Sequence, residues 1–147
     1  PEKRKEITTE GGLNLKKNYK NLKKIINLLR KKKIRVTLFI DSNISDVVLA
    51  KKLNSNCVEL HTGVFCNLFN KKKNTKYVLK KIKKAALTAK SIGLEVHAGH
   101  GLTYESVKPI CKIKEITELN IGHSIIADSI FIGLKKSIKK FKQLMIR

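Results

Sequence analysis

The stretch Glu95-Val-His-Ala-Gly-His-Gly-Leu-Thr-Tyr104 joins a short apolar segment to a histidine with a glycine on each side. The apolar part predicts a strand, and Gly99-His100-Gly101 predicts a loop that follows it. Flanking glycines leave the imidazole of His100 open to a small molecule. Further along, Glu118-Leu-Asn-Ile-Gly-His123 repeats the order of strand, Gly-His and helix. This arrangement is typical of α/β proteins that carry functional groups where strands end.

Segments with strand and helix periodicity alternate along the whole chain. The pattern predicts strands at 34–41, 57–61, 94–98 and 118–121, and helices at about 14–32, 44–54, 75–92, 105–112 and 124–146. Such alternation predicts a parallel sheet built of right-handed βα units. No linker or internal repeat divides the chain, so residues 1–147 are expected to belong to a single domain.

Two architectures built on a parallel sheet compete. A dinucleotide-binding sheet would carry Gly-x-Gly-x-x-Gly after a strand, and the sequence has no such motif. A TIM barrel instead gathers polar residues from the ends of several strands. Here polar residues occupy equivalent places on four consecutive predicted strands: Asp41, Glu59 with His61, His97 with His100, and Asn120 with His123. The sequence therefore favours the TIM (β/α)8 barrel.

A formal net charge of +22 raises the alternative of a lysine-rich nucleic-acid-binding module. Arginine is preferred for bidentate phosphate contacts and base-edge readout, but nearly all of the excess charge here is lysine. The lysines also fall on predicted helix faces, where solvated charge is ordinary. No nucleic-acid partner is therefore expected, and part of the positive charge is available to attract phosphorylated small molecules.

Other composition features bear on location and on metal binding. The sequence contains no run of 18 apolar residues and no signal-peptide pattern, which predicts a cytoplasmic protein without a membrane partner. Its three cysteines show no paired spacing, so a disulfide framework is not expected. The histidines and glutamates lack a compact ligand spacing, and no metal site is predicted.

Glu59 and His100 are the candidate catalytic residues. Glu59 interrupts an apolar strand, where a buried carboxylate needs a charged or hydrogen-bonding neighbour, and a simple pairing with lysine or arginine is the alternative explanation. Period two places His61 on the same sheet face as Glu59. His100 suits general acid or base catalysis near neutral pH, although a turn histidine bonded to backbone has the same pattern.

Two further motifs are candidates for anion binding. Gly122-His123 precedes a predicted helix, whose first N–H groups attract phosphate, although an ordinary turn with Ser124 as helix cap is the alternative. Thr8-Thr-Glu-Gly-Gly12 forms a polar, glycine-rich loop that could bind a ligand oxygen or phosphate. Taken alone, this second motif is weak.

These motifs together resemble the pyridoxine 5'-phosphate synthase family. The matching stretches are Pro1-Glu-Lys-Arg-Lys-Glu-Ile-Thr-Thr-Glu-Gly-Gly12, Leu38-Phe-Ile-Asp41, Val58-Glu-Leu-His-Thr-Gly63, Ala98-Gly-His-Gly-Leu-Thr-Tyr104 and Glu118-Leu-Asn-Ile-Gly-His123. The resemblance implies a TIM barrel, of which this chain would supply the last four to five βα units. It implies condensation of 1-deoxy-D-xylulose 5-phosphate with 3-amino-2-oxopropyl phosphate, without a cofactor, by a homo-octamer.

The resemblance also implies roles for single residues. His100 matches the proton-donating histidine and Glu59 the glutamate that stabilises charge during ring formation. Thr8 matches a position that contacts the deoxyxylulose phosphate. Gly101, Gly122 and His123 match positions that hold the amino-oxopropyl phosphate.

The sequence departs from the family pattern in two respects. Family members carry a further segment before the Pro-Glu-Lys-Arg run, with early strands, a catalytic histidine and a glutamate. These 147 residues alone are therefore expected to form an open half-barrel without turnover, because a barrel closes only when its first and last strands pair. In addition, His97 stands where the family more often has asparagine.

Overall fold

A computed structural model describes residues 11–145 of the chain. Strands and helices alternate through most of this range, with a pair of consecutive helices at two points. The elements are α1 (Tyr19–Lys31), β1 (Thr37–Ile40), α2 (Ile44–Lys52), β2 (Cys57–His61), α3 (Gly63–Asn70), α4 (Lys76–Ser91), β3 (Glu95–Gly99), α5 (Val107–Cys111), β4 (Glu118–Asn120), α6 (His123–Ile132) and α7 (Leu134–Leu144).

The four strands form one sheet in the order β1-β2-β3-β4, and every neighbouring pair is parallel. The predicted α/β class and parallel sheet are therefore confirmed. Strand order follows chain order because each right-handed βα unit places the next strand beside the preceding one, always in the same direction across the sheet. All four strands thus end at one edge of the sheet, where the predicted site residues lie.

The two faces of the sheet differ in chemistry because side chains alternate along each strand. One face is apolar and packs into the main core with the helices; its residues include Leu38, Ile40, Val58, Leu60, Val96 and Ala98, all at most 4% exposed. Burying each aliphatic side chain of this size contributes about 1.5–3 kcal/mol. The other face carries a row of aligned residues, Phe39, Glu59, His97 and Glu118. The core therefore fixes the strands while the opposite face remains available for polar chemistry.

Helix boundaries agree with the predictions at most places and differ at three. Helix α1 begins at Tyr19, about five residues after the predicted start near residue 14. The pattern predicts no helix at 63–70, where α3 forms a short apolar helix directly after β2. The predicted helix at 124–146 is divided into α6 and α7 by Gly133, whose φ of +83° ends the first helix. Asn43 caps α2 by accepting a hydrogen bond from the N–H of Asp46 at 2.9 Å.

None of the helices within residues 11–145 combines the length and the apolar character needed to cross a bilayer. The longest of them, α4, carries lysines along much of its exposed surface.

Candidate active site

A cavity of about 750 Å³ lies where the strands end. It is lined by Phe39, Glu59, His100, Gly101, Leu102, Asn120, Ile121, Gly122, His123 and Ser124. Five of the six predicted site residues are among them. The sixth, Thr8, lies outside the described residues, although nearby Gly12 donates its N–H to Asp41 Oδ1 at 3.2 Å at the end of β1.

The backbone at the end of β3 turns sharply through two residues with positive φ. His100 has φ +84° and Gly101 has φ +75°. A histidine is uncommon in this region of backbone conformation, and it persists only where its surroundings hold it. The turn sends the chain away from the sheet so that His100 lines the cavity.

Thr62 holds this turn. Its hydroxyl lies 2.7 Å from the carbonyl oxygen of Gly99 and 2.6 Å from that of His100, and its backbone N–H donates to Gly99 at 2.9 Å. Thr62 is completely buried, so these bonds are not exchanged for bonds to water. The end of β2 thereby determines the position of the imidazole that follows β3.

The carboxylate of Glu59 lies over Gly99 on the polar face of the sheet. A Cβ at position 99 would collide with Glu59 Oε1, so only glycine leaves room for the carboxylate there. Burial raises the pKa of Glu59, while a hydrogen bond from Asn120 and the nearby imidazoles of His97 and His100 act to lower it. A partly buried carboxylate between two imidazoles can stabilise positive charge that develops in the cavity.

His61 shares a sheet face with Glu59 and lies beside Asp41. Its Nδ1 lies 3.4 Å from Asp41 Oδ1, and its ring packs against those of Phe39 and His100 at centroid distances of 5.3 and 5.1 Å. A Cβ at Gly63 would lie 2.5 Å from His61 Nε2, so a glycine is required beneath the two imidazoles. His61 therefore supports one wall of the site beside His100.

The N-terminus of α6 forms the opposite wall of the cavity. Gly122 is its N-cap, and no side chain within residues 11–145 caps the helix. The alternative of Ser124 as cap is wrong, because its hydroxyl donates to the carbonyl of Leu102 at 2.6 Å instead. The first N–H groups of a helix have no partners within it and favour anions. Gly122 and His123 thus meet the geometric requirement for a phosphate-binding position.

A second link joins the loop after β3 to α6. Tyr104 hydrogen-bonds Asp128 and lies 3.1 Å from Ser137 Oγ, while its ring contacts that of Phe141 at 4.2 Å between centroids. Lys140 Nζ lies 3.9 Å from the centre of the same ring. Together with the Ser124–Leu102 bond, this cluster fixes the helix N-terminus relative to the His100 turn.

The sequence pattern assigns no role to Thr62, Phe39 or Tyr104. Thr62 directly follows a strand and precedes a glycine. This pattern indicates a position at the end of a strand, but it does not indicate which residues Thr62 bonds to. The contacts of Phe39 and Tyr104 depend on strand register and helix packing, which a local pattern does not contain.

The fold and the cavity together indicate a class of protein. A parallel α/β sheet whose strand ends present a carboxylate, an imidazole and a helix N-terminus is typical of proteins that act on phosphorylated small molecules. The family model of the pyridoxal phosphate biosynthesis protein PdxJ matches residues 1–147, and the chain belongs to that family.

Curated relatives named pyridoxine 5'-phosphate synthase are similar over nearly the whole chain. The relative from Pelagibacter ubique is 56% identical over 144 residues, which cover 98% of this chain and 60% of the relative. The relative from Zymomonas mobilis is 49% identical, with 99% and 56% covered. That from Sulfurihydrogenibium is 47% identical, with 99% and 59% covered. The chain therefore spans about three fifths of the length of these relatives.

Proposed function

We propose that this chain supplies the catalytic strand ends of a pyridoxine 5'-phosphate synthase. The reaction would condense 1-deoxy-D-xylulose 5-phosphate with 3-amino-2-oxopropyl phosphate to give pyridoxine 5'-phosphate, phosphate and water. The observation that carries the proposal is the single cavity lined by Glu59, His100, Gly101, Gly122 and His123 in a member of this family.

Within this proposal, His100 is the proton donor and Glu59 the electrostatic stabiliser. Imine formation and dehydration move protons to and from nitrogen and oxygen, which suits an imidazole at the cavity wall. Glu59 shares the cavity with His100, so a cationic intermediate between them would gain stabilisation from the carboxylate.

The phosphate of the amino-oxopropyl substrate is assigned to Gly101, Gly122 and His123. Support comes from the α6 N-terminus beside the loop of Gly101, since oriented N–H groups bind anions without a charged side chain. Thr8 is retained as a contact for the second substrate. No cofactor enters the proposed reaction, because each step is a proton transfer, an addition or an elimination.

The proposal includes the TIM barrel as the architecture of the complete enzyme. Four parallel strands in sequential order, with helices packed on one face and polar groups on the other, are what part of such a barrel requires. The described residues supply four strands, whereas a barrel closes only when its first strand pairs with its last. We therefore propose that turnover needs the rest of the family's length, and that these 147 residues alone are inactive.

Partners and location follow the same reasoning. The ligands are phosphorylated small molecules, the complete enzyme is a homo-octamer, and nucleic acid and membranes are not partners. Within residues 11–145 no disulfide joins Cys57, Cys66 or Cys111, and reduced thiols suit the proposed cytoplasmic location. Light scattering of the complete enzyme tests the octamer. A salt titration of DNA binding tests whether the lysines bind nucleic acid, because only a phosphate-backbone binder loses affinity steeply as the salt concentration rises.

The decisive experiment is a chimera that joins these 147 residues to the part of the Pelagibacter ubique relative that they do not match. The chimera should form pyridoxine 5'-phosphate from the two substrates, whereas the 147-residue polypeptide should not. A folded chimera without activity would contradict the proposed reaction. Activity of the 147-residue polypeptide would contradict only the proposed need for the remaining length.

A further inference from the structure

A second cluster of ligand-type side chains lies at the other end of the strands, away from the cavity. Cys57 and Glu95 are the first residues of β2 and β3, and they pair in the sheet register. His97 follows Glu95 by two residues and shares its sheet face. A thiol sulfur, a carboxylate oxygen and an imidazole nitrogen thereby come within 4.8 Å of one another.

Burial favours this cluster as a built site. Cys57 is fully buried and His97 is 5% exposed, so neither group is a freely rotating surface side chain. Glu95 is partly exposed, which leaves a route from solvent to the three ligand atoms. Sheet register, rather than sequence spacing, brings the three residues together, and this is why the sequence did not predict a metal site.

The imidazole of His97 is already oriented. Its Nδ1 lies 3.3 Å from Glu118 Oε1, and its Nε2 lies 3.0 Å from Glu95 Oε1 on the side of the cluster. Metal-binding histidines commonly present one ring nitrogen to the ion while a carboxylate holds the other. Glu118 occupies that supporting position.

A cation already occupies the cluster. The guanidinium of Arg35 donates to Cys57 Sγ from Nε at 3.1 Å and from Nη2 at 2.9 Å, and it forms an ion pair with Glu95. The cluster therefore favours a positive charge at this position. Because the Arg35 side chain is 54% exposed, it can move into solvent when another cation binds.

We propose that Cys57, Glu95 and His97 bind a zinc-class divalent cation, which replaces the guanidinium of Arg35. Sulfur, nitrogen and carboxylate ligands suit tetrahedral Zn²⁺, with water in the fourth position. On binding, Cys57 releases its thiol proton to solvent and the sulfur becomes a thiolate ligand. The ion would join β2 to β3 at the ends opposite the cavity, and it takes no part in the proposed synthase reaction.

Titration of the purified 147-residue chain with Co²⁺ tests the proposal independently of activity. Thiolate-bound tetrahedral Co²⁺ has a sulfur-to-metal charge-transfer band in the near ultraviolet and intense visible bands, and added Zn²⁺ should remove both. Cys57→Ser should abolish the charge-transfer band, and His97→Asn should weaken Co²⁺ binding roughly tenfold or more. Arg35→Ala should tighten it, because the competing guanidinium is gone.

Cys111→Ser is the matched control, since Cys111 is also a buried cysteine but lies outside the cluster. It should leave the spectrum unchanged, and circular dichroism checks the fold of every variant. A charge-transfer band that survives in folded Cys57→Ser overturns the proposal, as does the absence of the band in both wild type and Arg35→Ala at millimolar Co²⁺. If Cys57→Ser does not fold, an affinity unchanged by His97→Asn overturns it instead.

Discussion

The hydroxyl of Thr62, at the end of β2, lies within hydrogen-bonding distance of the carbonyl oxygen of His100, which follows β3. This bond ties two strand ends together and holds a histidine in a backbone conformation with positive φ. The imidazole is thus positioned by a residue that does not line the cavity. Preorganisation of this kind removes the cost of ordering the imidazole that the proposal assigns to proton donation.

Thr62→Val should lower the free energy of unfolding by about 1–3 kcal/mol, because the isosteric side chain has no donor for the buried carbonyl oxygens. Urea denaturation of the 147-residue chain measures the change. Thr88→Val is the control: its hydroxyl donates to Lys84 on an exposed helix face, so its effect should remain within about 0.5 kcal/mol. Equal effects of the two substitutions would contradict the role assigned to Thr62.

Gly99→Ala tests the close approach of Glu59 to the backbone of β3. The added Cβ would meet Glu59 Oε1 and would lie 2.9 Å from the backbone oxygen of Asn120, so overpacking should cost about 1–3 kcal/mol. Gly11→Ala is the matched control, because a Cβ there meets nothing within 4 Å. Thermal unfolding compares the two, and a Gly99→Ala chain as stable as wild type would show that Glu59 has room to move away.

Most of the fold and the position of the site follow from local sequence pattern. The strand 57–61 is predicted with its observed bounds, since β-branched and apolar residues with period two specify a strand. Parallel strands end at the same edge of a sheet, so the polar residues after each strand were expected to meet. Five of the six predicted site residues line one cavity.

The features that the sequence does not predict depend on register and packing. Helix α3 is short and apolar, and it cannot be distinguished from a buried strand by periodicity. The Arg35–Cys57 contact and the Tyr104–Asp128 bond join residues far apart in the chain. Their partners are determined by which strand residues stand side by side and by how α6 packs, and neither is a local property.

Tyr104→Phe removes the hydroxyl that links the His100 loop to Asp128. Loss of this hydrogen bond to a charged acceptor should lower the free energy of unfolding measured by urea denaturation at neutral pH. Burial, together with the bond to Asp128, raises the pKa of Tyr104. Since the folded-state pKa lies above the unfolded value near 10, the advantage of wild type should be full below about pH 10 and decline above it.

Tyr77→Phe is the control for this prediction, because Tyr77 is 72% exposed and should change stability by less than about 0.5 kcal/mol. In a double-mutant cycle with Asp128→Asn, the effects of the two substitutions on the free energy of unfolding should not be additive. Additive effects of the two substitutions would show that the bond does not couple the loop to α6.

Gly122→Asp tests anion binding at the N-terminus of α6. Aspartate is a favourable N-cap residue, and a Cβ at position 122 meets nothing within 4 Å, so the fold should be kept or stabilised. Its carboxylate would repel a phosphate near the helix start and weaken binding by roughly tenfold or more. Gly122→Ser is the neutral control. Titration with inorganic phosphate, followed by nuclear magnetic resonance, measures the phosphate affinity of both variants. Equal affinities would place the anion elsewhere.

His100→Asn tests the proton donor in the chimeric synthase. Asparagine tolerates positive φ, so the turn held by Thr62 should persist, and circular dichroism should be unchanged. Loss of one general acid lowers turnover by about 10²- to 10⁴-fold, and the loss should fall on kcat because His100 is assigned to proton transfer rather than to phosphate binding. A change confined to KM would instead make His100 a binding residue. Wild-type kinetics in a correctly folded variant would exclude His100 from the mechanism, because a contribution of the imidazole to catalysis or binding would change kcat or KM.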